Sequence, residues 1–313
     1  MGKECSLGLK AIGLSLAMAL IPVVSASADE STPVVSSSSG DLGTVQSISP
    51  NDPITTTARV GGVTVEIRRP GQGVYPLIIF SHGMGGCPAN NNSIQSKLAD
   101  EGYIIVAPKH KDCRSGSTEP DPPAEWDELE LWSDATNADR RDDIHAVLDA
   151  LPDSRFARYV EDFGNVGCLG YSMGGYTCMG LAGAWPSWKH PDIRAVAALS
   201  PWNAPLVHHG GVRDIDINIL YQGGTLDAVI TPIIKDSWDH SAPAKYFQEF
   251  HQVSHWGWTD GFLSEKKHDE MVFYIDAFFD RSLLPNGDDL RKIGKKKLTY
   301  STENVVTLWY DHR

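Results

Sequence analysis

The segment Gly170-Tyr171-Ser172-Met173-Gly174 decides the predicted fold. It lies between an apolar stretch at residues 165–170 and a small-residue helix predicted at residues 174–184. A serine with glycine two positions to either side is typical of a tight turn from strand to helix, because larger side chains at the glycine positions would clash. The context therefore predicts an exposed serine hydroxyl at one edge of a sheet.

Strands and helices alternate on both sides of this turn. Alternating residues predict an early strand at residues 58–68, and short apolar runs predict buried strands at residues 77–80 and 103–107. Further strands are predicted at residues 165–170, 193–199, 215–221 and 247–253. Helical spacing predicts helices at residues 94–101, 138–151, 174–184 and 270–279, with a helical turn at residues 242–246. Because such alternation requires right-handed crossovers, we expect an α/β fold whose mostly parallel central sheet carries helices on both faces.

The N-terminal region is predicted to lie outside the folded domain. Residues 1–28 place Lys3 and Lys10 before an apolar run that ends in small residues, which predicts a secretory signal peptide cut near Ala28. A membrane anchor is the alternative, but this run is interrupted and shorter than the ~20 apolar residues that span a bilayer. Residues 29–54 are rich in Ser, Thr and Pro and predict a linker. We expect a secreted or periplasmic protein.

The α/β domain is predicted to cover residues 55–285. Residues 286–313 then form a C-terminal extension, in which the apolar patch at residues 305–310 is a candidate strand that docks on the domain. No segment after the signal peptide is long and apolar enough to cross a membrane.

Acidic residues dominate the charge of the chain. It has 40 acidic and 27 basic residues, a formal net charge of −13, which disfavours nucleic acid and anionic membrane surfaces as partners. Residues 112–143 hold eleven of the acidic residues against three arginines. We interpret this insertion as a solvated acidic loop rather than a metal site, because its carboxylates lack the spacing of calcium loops.

Ser172 needs a histidine to take its proton and a carboxylate to orient that histidine. In the order typical of this strand-turn-helix context, the acid follows the serine and the histidine comes last. Asp227 lies in the loop after the strand predicted at residues 215–221, at the edge of the sheet where Ser172 is expected. Other candidate acids are Asp214 and Asp216, before or at the start of that strand, and Asp236 and Asp239, later in the chain.

His255 is the predicted base because it follows the strand predicted at residues 247–253. His251 is predicted to lie inside that strand, and His268 is expected to face solvent before the last helix. Backbone N–H groups usually stabilise the oxyanion of such a reaction. We expect those of Met173 and of Met84, the latter in a glycine-rich loop after residues 77–80.

Six parts of the sequence together resemble one family. They are Ser81-His82-Gly83-Met84-Gly85, residues 98–106, Gly170-Tyr171-Ser172-Met173-Gly174-Gly175, Leu199-Ser200-Pro201-Trp202-Asn203, Asp227 and Ser254-His255. The chain resembles the α/β-hydrolases of the dienelactone-hydrolase-like group, in particular bacterial cutinases and polyester hydrolases and the platelet-activating-factor acetylhydrolases. The resemblance spans residues 75–280. It implies an α/β-hydrolase fold, and it implies that Trp202 lines the acyl cleft. His82 is expected to be a structural hydrogen-bonding residue. Met84 and the acidic insertion depart from the polyester hydrolases.

Two further expectations rest on position along the chain. Trp256 follows His255 directly, so it is expected beside Trp202 at the substrate rim of the sheet. Cys87 and Cys113 follow two neighbouring predicted strands, so we expect them to form a disulfide. Cys168 and Cys178 are expected to be buried apolar residues.

These residues together predict a secreted serine ester hydrolase that acts on neutral hydrophobic esters, with polyesters as candidate substrates. No cofactor and no metal are expected, since the chain lacks metal-ligand spacing and a dinucleotide loop. A peptidase or an acyltransferase with the same three residues is the alternative enzyme, because the triad does not select the acyl group. A catalytically silent binding module on a hydrolase fold is the alternative from another class.

Overall fold

The computed structural model describes residues 53–114, 126–242, 244–284, 294 and 296–312. The predicted signal peptide and nearly all of the predicted linker lie outside these residues. Nine strands of the described chain form one sheet: β1 (Ile54–Val60), β2 (Val63–Arg69), β3 (Leu77–Ser81), β4 (Ile104–Pro108), β5 (Val166–Tyr171), β6 (Ile193–Leu199), β7 (Asn218–Gly224), β8 (Lys245–Phe250) and β9 (Val305–Asp311).

The sheet is mostly parallel. Its order is β1-β2-β4-β3-β5-β6-β7-β8-β9. Strands β3 to β8 run parallel to one another, whereas β1, β2 and β9 pair antiparallel at the two edges. Because neighbouring parallel strands end at the same side of the sheet, the loops after β3, β5, β6, β7 and β8 meet at one edge. The prediction of an α/β-hydrolase fold with a mostly parallel central sheet is confirmed.

Helices cover both faces of the sheet. The α-helices of the described residues are α1 (Asn92–Asp100), α2 (Ala138–Ala150), α3 (Met173–Met179), α4 (Ala204–His208), α5 (Ile230–His240) and α6 (Glu265–Leu283). Buried side chains of α1 and α6, such as Leu98 and Ile275, form the core on one face. Ile144 of α2, Met179 of α3 and Ile234 of α5 belong to the core on the other.

Several of the predicted strands and helices differ from the structure. The strand predicted at residues 58–68 is a hairpin of β1 and β2, because Gly61 and Gly62 both have positive φ and form its turn. The strand predicted at residues 215–221 begins three residues later and continues through two glycines. The helical turn predicted at residues 242–246 is wrong, since β8 begins at Lys245. The helix predicted at residues 174–184 is α3 followed by a π-helical turn at Gly180–Ala184.

The C-terminal segment contributes to the sheet itself. Strand β9 pairs antiparallel with β8, from Asp311 opposite Lys245 to Val305 opposite Phe250. The candidate strand at residues 305–310 is thus confirmed, and it forms one edge of the sheet.

Candidate active site

Ser172 lies in a strained turn between β5 and α3. Its backbone has φ 54° and ψ −116°, an unusual conformation for a residue other than glycine. A Cβ atom at Gly170 would lie 2.1 Å from the carbonyl oxygen of Gly174, and one at Gly174 would lie 1.9 Å from that of Ser81. Both glycines are therefore required by close backbone approach, as the sequence predicts.

The structure brings Ser172, His255 and Asp227 together in one hydrogen-bonded chain. Ser172 Oγ lies 3.0 Å from His255 Nε2, and Asp227 Oδ2 lies 2.9 Å from His255 Nδ1. The Asp227 carboxylate is 5% exposed, whereas the His255 side chain is 27% exposed. A buried carboxylate at Nδ1 leaves Nε2 unprotonated toward the serine, which is the arrangement that lets a histidine accept a hydroxyl proton.

Ser200 is a fourth side chain in this chain of hydrogen bonds, and the sequence analysis did not propose a role for it. It follows β6, has φ 43° and is fully buried. Its hydroxyl donates to Oδ2 of Asp227 and lies 3.0 Å from Nδ1 of His255. Its place at the carboxyl end of a parallel strand, the criterion that selected Asp227, is the signal that could have identified it.

Tyr171 fixes the backbone of the histidine. Its hydroxyl donates to the carbonyl oxygen of His255 at 3.0 Å, and the two rings lie 5.4 Å apart. Burial, followed by the charge of Asp227, raises the pKa of the Tyr171 phenol, so the hydroxyl stays protonated and remains a donor.

The alternative acids and bases lie elsewhere. Asp236 lies on α5 and is exposed, with its carboxylate 3.6 Å from Nδ1 of His240. His251 follows β8 rather than lying inside it, and it is exposed. The expectation that His268 faces solvent is wrong: it is 3% exposed, and its Nε2 lies 3.0 Å from the carbonyl oxygen of Gly257. α6 begins at Glu265, five residues earlier than the spacing suggested, and this carries His268 into the core.

The loop after β3 approaches the nucleophile closely. A Cβ atom at Gly83 would lie 3.5 Å from the Cβ atom of Ser172. Met84, the next residue, is half-buried against the core, and Met173 is the first residue of α3 and fully buried. Met84 thus follows Gly83, which lies close to Ser172, and Met173 follows Ser172 itself. These are the two residues expected to donate backbone N–H groups to an oxyanion.

Behind this loop lies a polar cluster that includes two acidic residues and one arginine of the acidic insertion. His82 and His110 are buried, with ring centroids 4.8 Å apart, and Arg140 is 1% exposed. Asp112 pairs with Arg140 at 2.7 Å, and Asp143 lies 2.9 Å from Nδ1 of His110. The interpretation of the whole insertion as solvated is therefore wrong for these two acids, because β4 and α2 carry them inward against buried cations and imidazoles.

Trp202 and Trp256 each contact one member of the hydrogen-bonded chain. The backbone N–H of Trp202 donates to the carbonyl oxygen of Ser172 at 3.1 Å, and its ring packs edge-on against Trp126 with centroids 5.1 Å apart. Trp256 is 48% exposed and stacks on Phe262. Trp202 thus contacts the backbone of Ser172, and the Trp256 ring lies 5.9 Å from the ring of His255.

All four cysteines of the described chain are paired. Cys87 and Cys113 form the predicted disulfide, with Cα atoms 4.8 Å apart. The expectation that Cys168 and Cys178 are unpaired apolar residues is wrong, since they form a second disulfide with Cα atoms 5.6 Å apart. The tight turn at Ser172 folds α3 back along β5, which brings Cys178 over Cys168.

The described residues contain neither a cluster suited to a metal ion nor a helix that could span a membrane. Histidine, cysteine and acidic side chains nowhere gather into a group of three suited to a metal ion within this part of the chain. None of the helices in the same residues has both the length and the apolar character needed to span a membrane.

The loop that approaches Ser172 belongs to a stretch with a recognisable family signature. Residues 54–138 match the family model of platelet-activating factor acetylhydrolase, isoform II. The match runs from β1 to the first residue of α2 and ends before Ser172. It confirms, over this stretch, the resemblance to the platelet-activating-factor acetylhydrolases that the sequence motifs indicate.

Two curated relatives are similar over a shorter stretch. Platelet-activating factor acetylhydrolase of Bos taurus is 46% identical over 44 residues, which are 14% of this chain and 10% of the relative. The enzyme of the same name from Cavia porcellus is 43% identical over 44 residues, again 14% of this chain and 10% of the relative. The matched stretch thus spans about a tenth of the length of these relatives.

Proposed function

We propose that the protein is a secreted serine ester hydrolase that forms an acyl-enzyme at Ser172. The observation that carries this proposal is the hydrogen-bonded chain from Ser172 Oγ through His255 to Asp227. It lies on a strained turn at the carboxyl edge of a parallel sheet, where ligands of such sheets bind. The family match and the two relatives support an ester hydrolase, since acetylhydrolases cleave acetyl groups.

The reaction follows from the positions of these atoms. Ser172 Oγ attacks the ester carbonyl carbon while its proton moves to Nε2 of His255, 3.0 Å away. Asp227 stabilises the resulting imidazolium through Nδ1–H. The N–H groups of Met84 and Met173 stabilise the negative oxygen of the tetrahedral intermediate. His255 then gives its proton to the departing alkoxide, and the acyl group remains on Ser172.

Water completes the cycle. A water molecule loses a proton to His255 and attacks the acyl carbon, and a second tetrahedral intermediate forms on the same oxyanion donors. When this intermediate collapses, the bond to Ser172 Oγ breaks, His255 returns the proton to that oxygen, and the free acid leaves.

We propose neutral hydrophobic esters as substrates, with aromatic polyesters among them. Trp202 binds the backbone of Ser172 and Trp256 packs against His255, so both bring flat apolar side chains close to the reacting residues. Exposed Leu226 and Phe262 extend this apolar rim. The net charge of −13 opposes substrates that carry a free carboxylate. Acetyl esters are a second candidate class, favoured by the names of the two relatives.

A substrate panel tests both classes. We expect turnover of p-nitrophenyl acetate, butyrate and benzoate, and no turnover of a peptide p-nitroanilide. A preference for benzoate supports the hydrophobic class, and a steep decline beyond acetate supports the acetyl class. Turnover of the anilide alone would indicate a peptidase, and no turnover of any substrate would indicate a silent binding module.

Trp202→Ala separates the two classes further. It should weaken binding of the benzoate ester by about 1–3 kcal/mol, seen as a higher KM, while the KM for acetate changes little. Trp309→Ala is the matched control, because Trp309 lies on edge strand β9. Equal effects of Trp202→Ala on both esters would remove Trp202 from the acyl site.

Secretion is part of the proposal. Two disulfides support it, because such bonds persist in oxidising compartments. N-terminal sequencing of the protein recovered from culture medium tests it, with a new N-terminus expected near Asp29.

A further inference from the structure

Arg140 contacts the backbone of the loop that precedes Met84. It lies on α2, 1% exposed, with its guanidinium behind this loop. Nη1 donates to the carbonyl oxygen of His82 at 2.7 Å, and Nη2 donates to that of Gly83 at 3.3 Å. A single side chain thus binds two consecutive carbonyl groups of the loop.

Asp112, in the segment after β4, binds both Arg140 and the backbone of the same loop. Its Oδ2 accepts from Nη2 of Arg140 at 2.7 Å and from the backbone N–H of Gly85 at 3.0 Å. The charge of Arg140 lowers the pKa of Asp112 although burial alone would raise it, so the carboxylate stays ionised. Together the pair binds backbone groups of residues 82, 83 and 85.

The side chain of His82, within the loop itself, also binds the Gly83–Met84 peptide. Its Nδ1–H donates to the carbonyl oxygen of Gly83 at 2.9 Å, and its Nε2 accepts from the backbone N–H of His110 at 3.2 Å. Burial and the nearby Arg140 lower the pKa of His82 well below its usual value. The imidazole is therefore neutral, as these two hydrogen bonds require.

These contacts determine where the N–H of Met84 points. In a trans peptide the C=O of one residue and the N–H of the next point in opposite directions. The Gly83 oxygen is bound by Arg140, by His82 and by the N–H of Gly86 at 3.0 Å. Gly83 itself lies against Ser172. The Met84 N–H therefore points away from this cluster.

We propose that Arg140 and Asp112 are a positioning pair that orients the Met84 N–H as an oxyanion donor. Neither residue touches the reacting atoms, so each acts through the loop backbone. This inference rests on the proposed ester hydrolysis at Ser172. It assigns a role to an ion pair inside the acidic insertion, a region for which the sequence suggested only solvation.

Arg140→Lys and Asp112→Asn test the pair. Lysine keeps the positive charge but loses the fork that binds two carbonyl groups. Asparagine keeps an oxygen for Gly85 N–H but loses the charge that holds Arg140. We expect kcat to fall about tenfold to a hundredfold in each variant, because an optimally placed oxyanion donor contributes about a hundredfold or more. KM should change less than about threefold. Arg141→Lys is the matched control, since the neighbouring Arg141 pairs with Asp142 at the surface.

Affinity for a transition-state analogue distinguishes positioning from general loosening. A boronic acid adds to Ser172 and places a negative oxygen in the oxyanion site, so its affinity should fall by the same factor as kcat/KM. The melting temperature reports whether each variant is folded. If Arg140→Lys does not fold, Asp112→Asn decides the result.

Three outcomes would overturn the proposal. These are a folded variant with the kcat of the native protein, a loss confined to KM, or a lower kcat with unchanged affinity for the boronic acid. Failure of the ester hydrolase proposal is seen separately, as absence of turnover by the native protein and absence of boronic acid binding to it.

Discussion

The hydroxyl oxygen of Ser200 lies 3.0 Å from Nδ1 of His255, inside the hydrogen-bonded chain that leads to Ser172. The same hydroxyl donates to Oδ2 of Asp227, the oxygen that faces His255. Ser200 therefore holds the carboxylate in line with the imidazole. The proposed site then comprises four residues rather than three.

Ser200→Ala should lower kcat about tenfold with little change in KM, which corresponds to ~1.4 kcal/mol lost from the transition state. The reason is that the Asp227 carboxylate loses a charge-assisted donor and some of its orientation. Ser200→Gly is the control, because glycine also relieves the positive φ of 43°. Equal losses in both variants assign the effect to the hydroxyl, whereas native rates in both would exclude Ser200 from the site. Steady-state kinetics with a p-nitrophenyl ester measure both.

Asp227→Asn should reduce kcat by about three to four orders of magnitude, because an amide favours the wrong histidine tautomer. Asp236→Asn is the matched control on α5, since Asp236 is exposed and lies near His240. It should leave the rate unchanged. A larger loss in Asp236→Asn than in Asp227→Asn would mean that the acid is misassigned.

Both disulfides should be found in the protein isolated without reductant. Mass spectrometry of a non-reduced digest is expected to give peptides linked through Cys87–Cys113 and Cys168–Cys178. The bonds close loops with sequence separations of 26 and 10 residues. Loop-closure entropy then predicts that Cys87→Ser with Cys113→Ser lowers the free energy of unfolding by roughly 3–4 kcal/mol, and Cys168→Ala with Cys178→Ala by somewhat less. Complete alkylation of Cys168 and Cys178 in unfolded, non-reduced protein would contradict the second bond.

Asp280 should make stability depend on pH between about 4 and 6. Burial, and then the charge of Asp276, raises the pKa of Asp280 from 3.8 to about 6. In that window the folded protein keeps the proton and the unfolded chain has released it, so the free energy of unfolding falls as pH rises and is level above about 6.

Asp280→Asn removes this titration and keeps an oxygen to accept from the hydroxyl of Tyr103, which lies 2.9 Å away. Urea unfolding at pH 4, 5, 6 and 7 should therefore show the variant gaining stability relative to the native protein as pH rises. Asp216→Asn is the control: Lys189 lowers the pKa of Asp216, so its titration window lies below 3.8 and its difference should be flat from pH 5 to 7. A pH-independent difference for Asp280→Asn would refute the assignment.

Much of the fold was predictable because buried parallel strands have a simple signature. Strand β6 is apolar on both faces and was predicted with its observed bounds, Ile193–Leu199. The tight turn at Ser172 was predictable because only glycine fits at the positions two residues before and two residues after it. The end of β7 was not predictable, because the pair Gly223-Gly224 is typical of a turn but lies inside the strand.

The supporting residues were harder to predict, because their contacts join distant parts of the chain. Ser200 is 27 residues from Asp227 and 55 from His255, separations that carry no local pattern. The Cys168–Cys178 pair has the same burial pattern as two apolar residues. Arg140 did leave a signal: it lies four residues before Ile144, on the face of α2 that is otherwise apolar. An arginine at such a position needs buried partners.

The most direct test of the account is the site at which an aryl alkylphosphonate reacts. Its phosphorus mimics the ester carbon, and attack by the activated serine displaces the phenol and leaves a stable adduct on the enzyme. We predict one adduct per chain, mapped by mass spectrometry to the peptide that contains Ser172, with loss of ester hydrolysis in proportion to labelling. Ser172→Ala should remain folded and unlabelled. An adduct at another residue, or full hydrolysis by a completely labelled protein, would contradict Ser172 as the nucleophile.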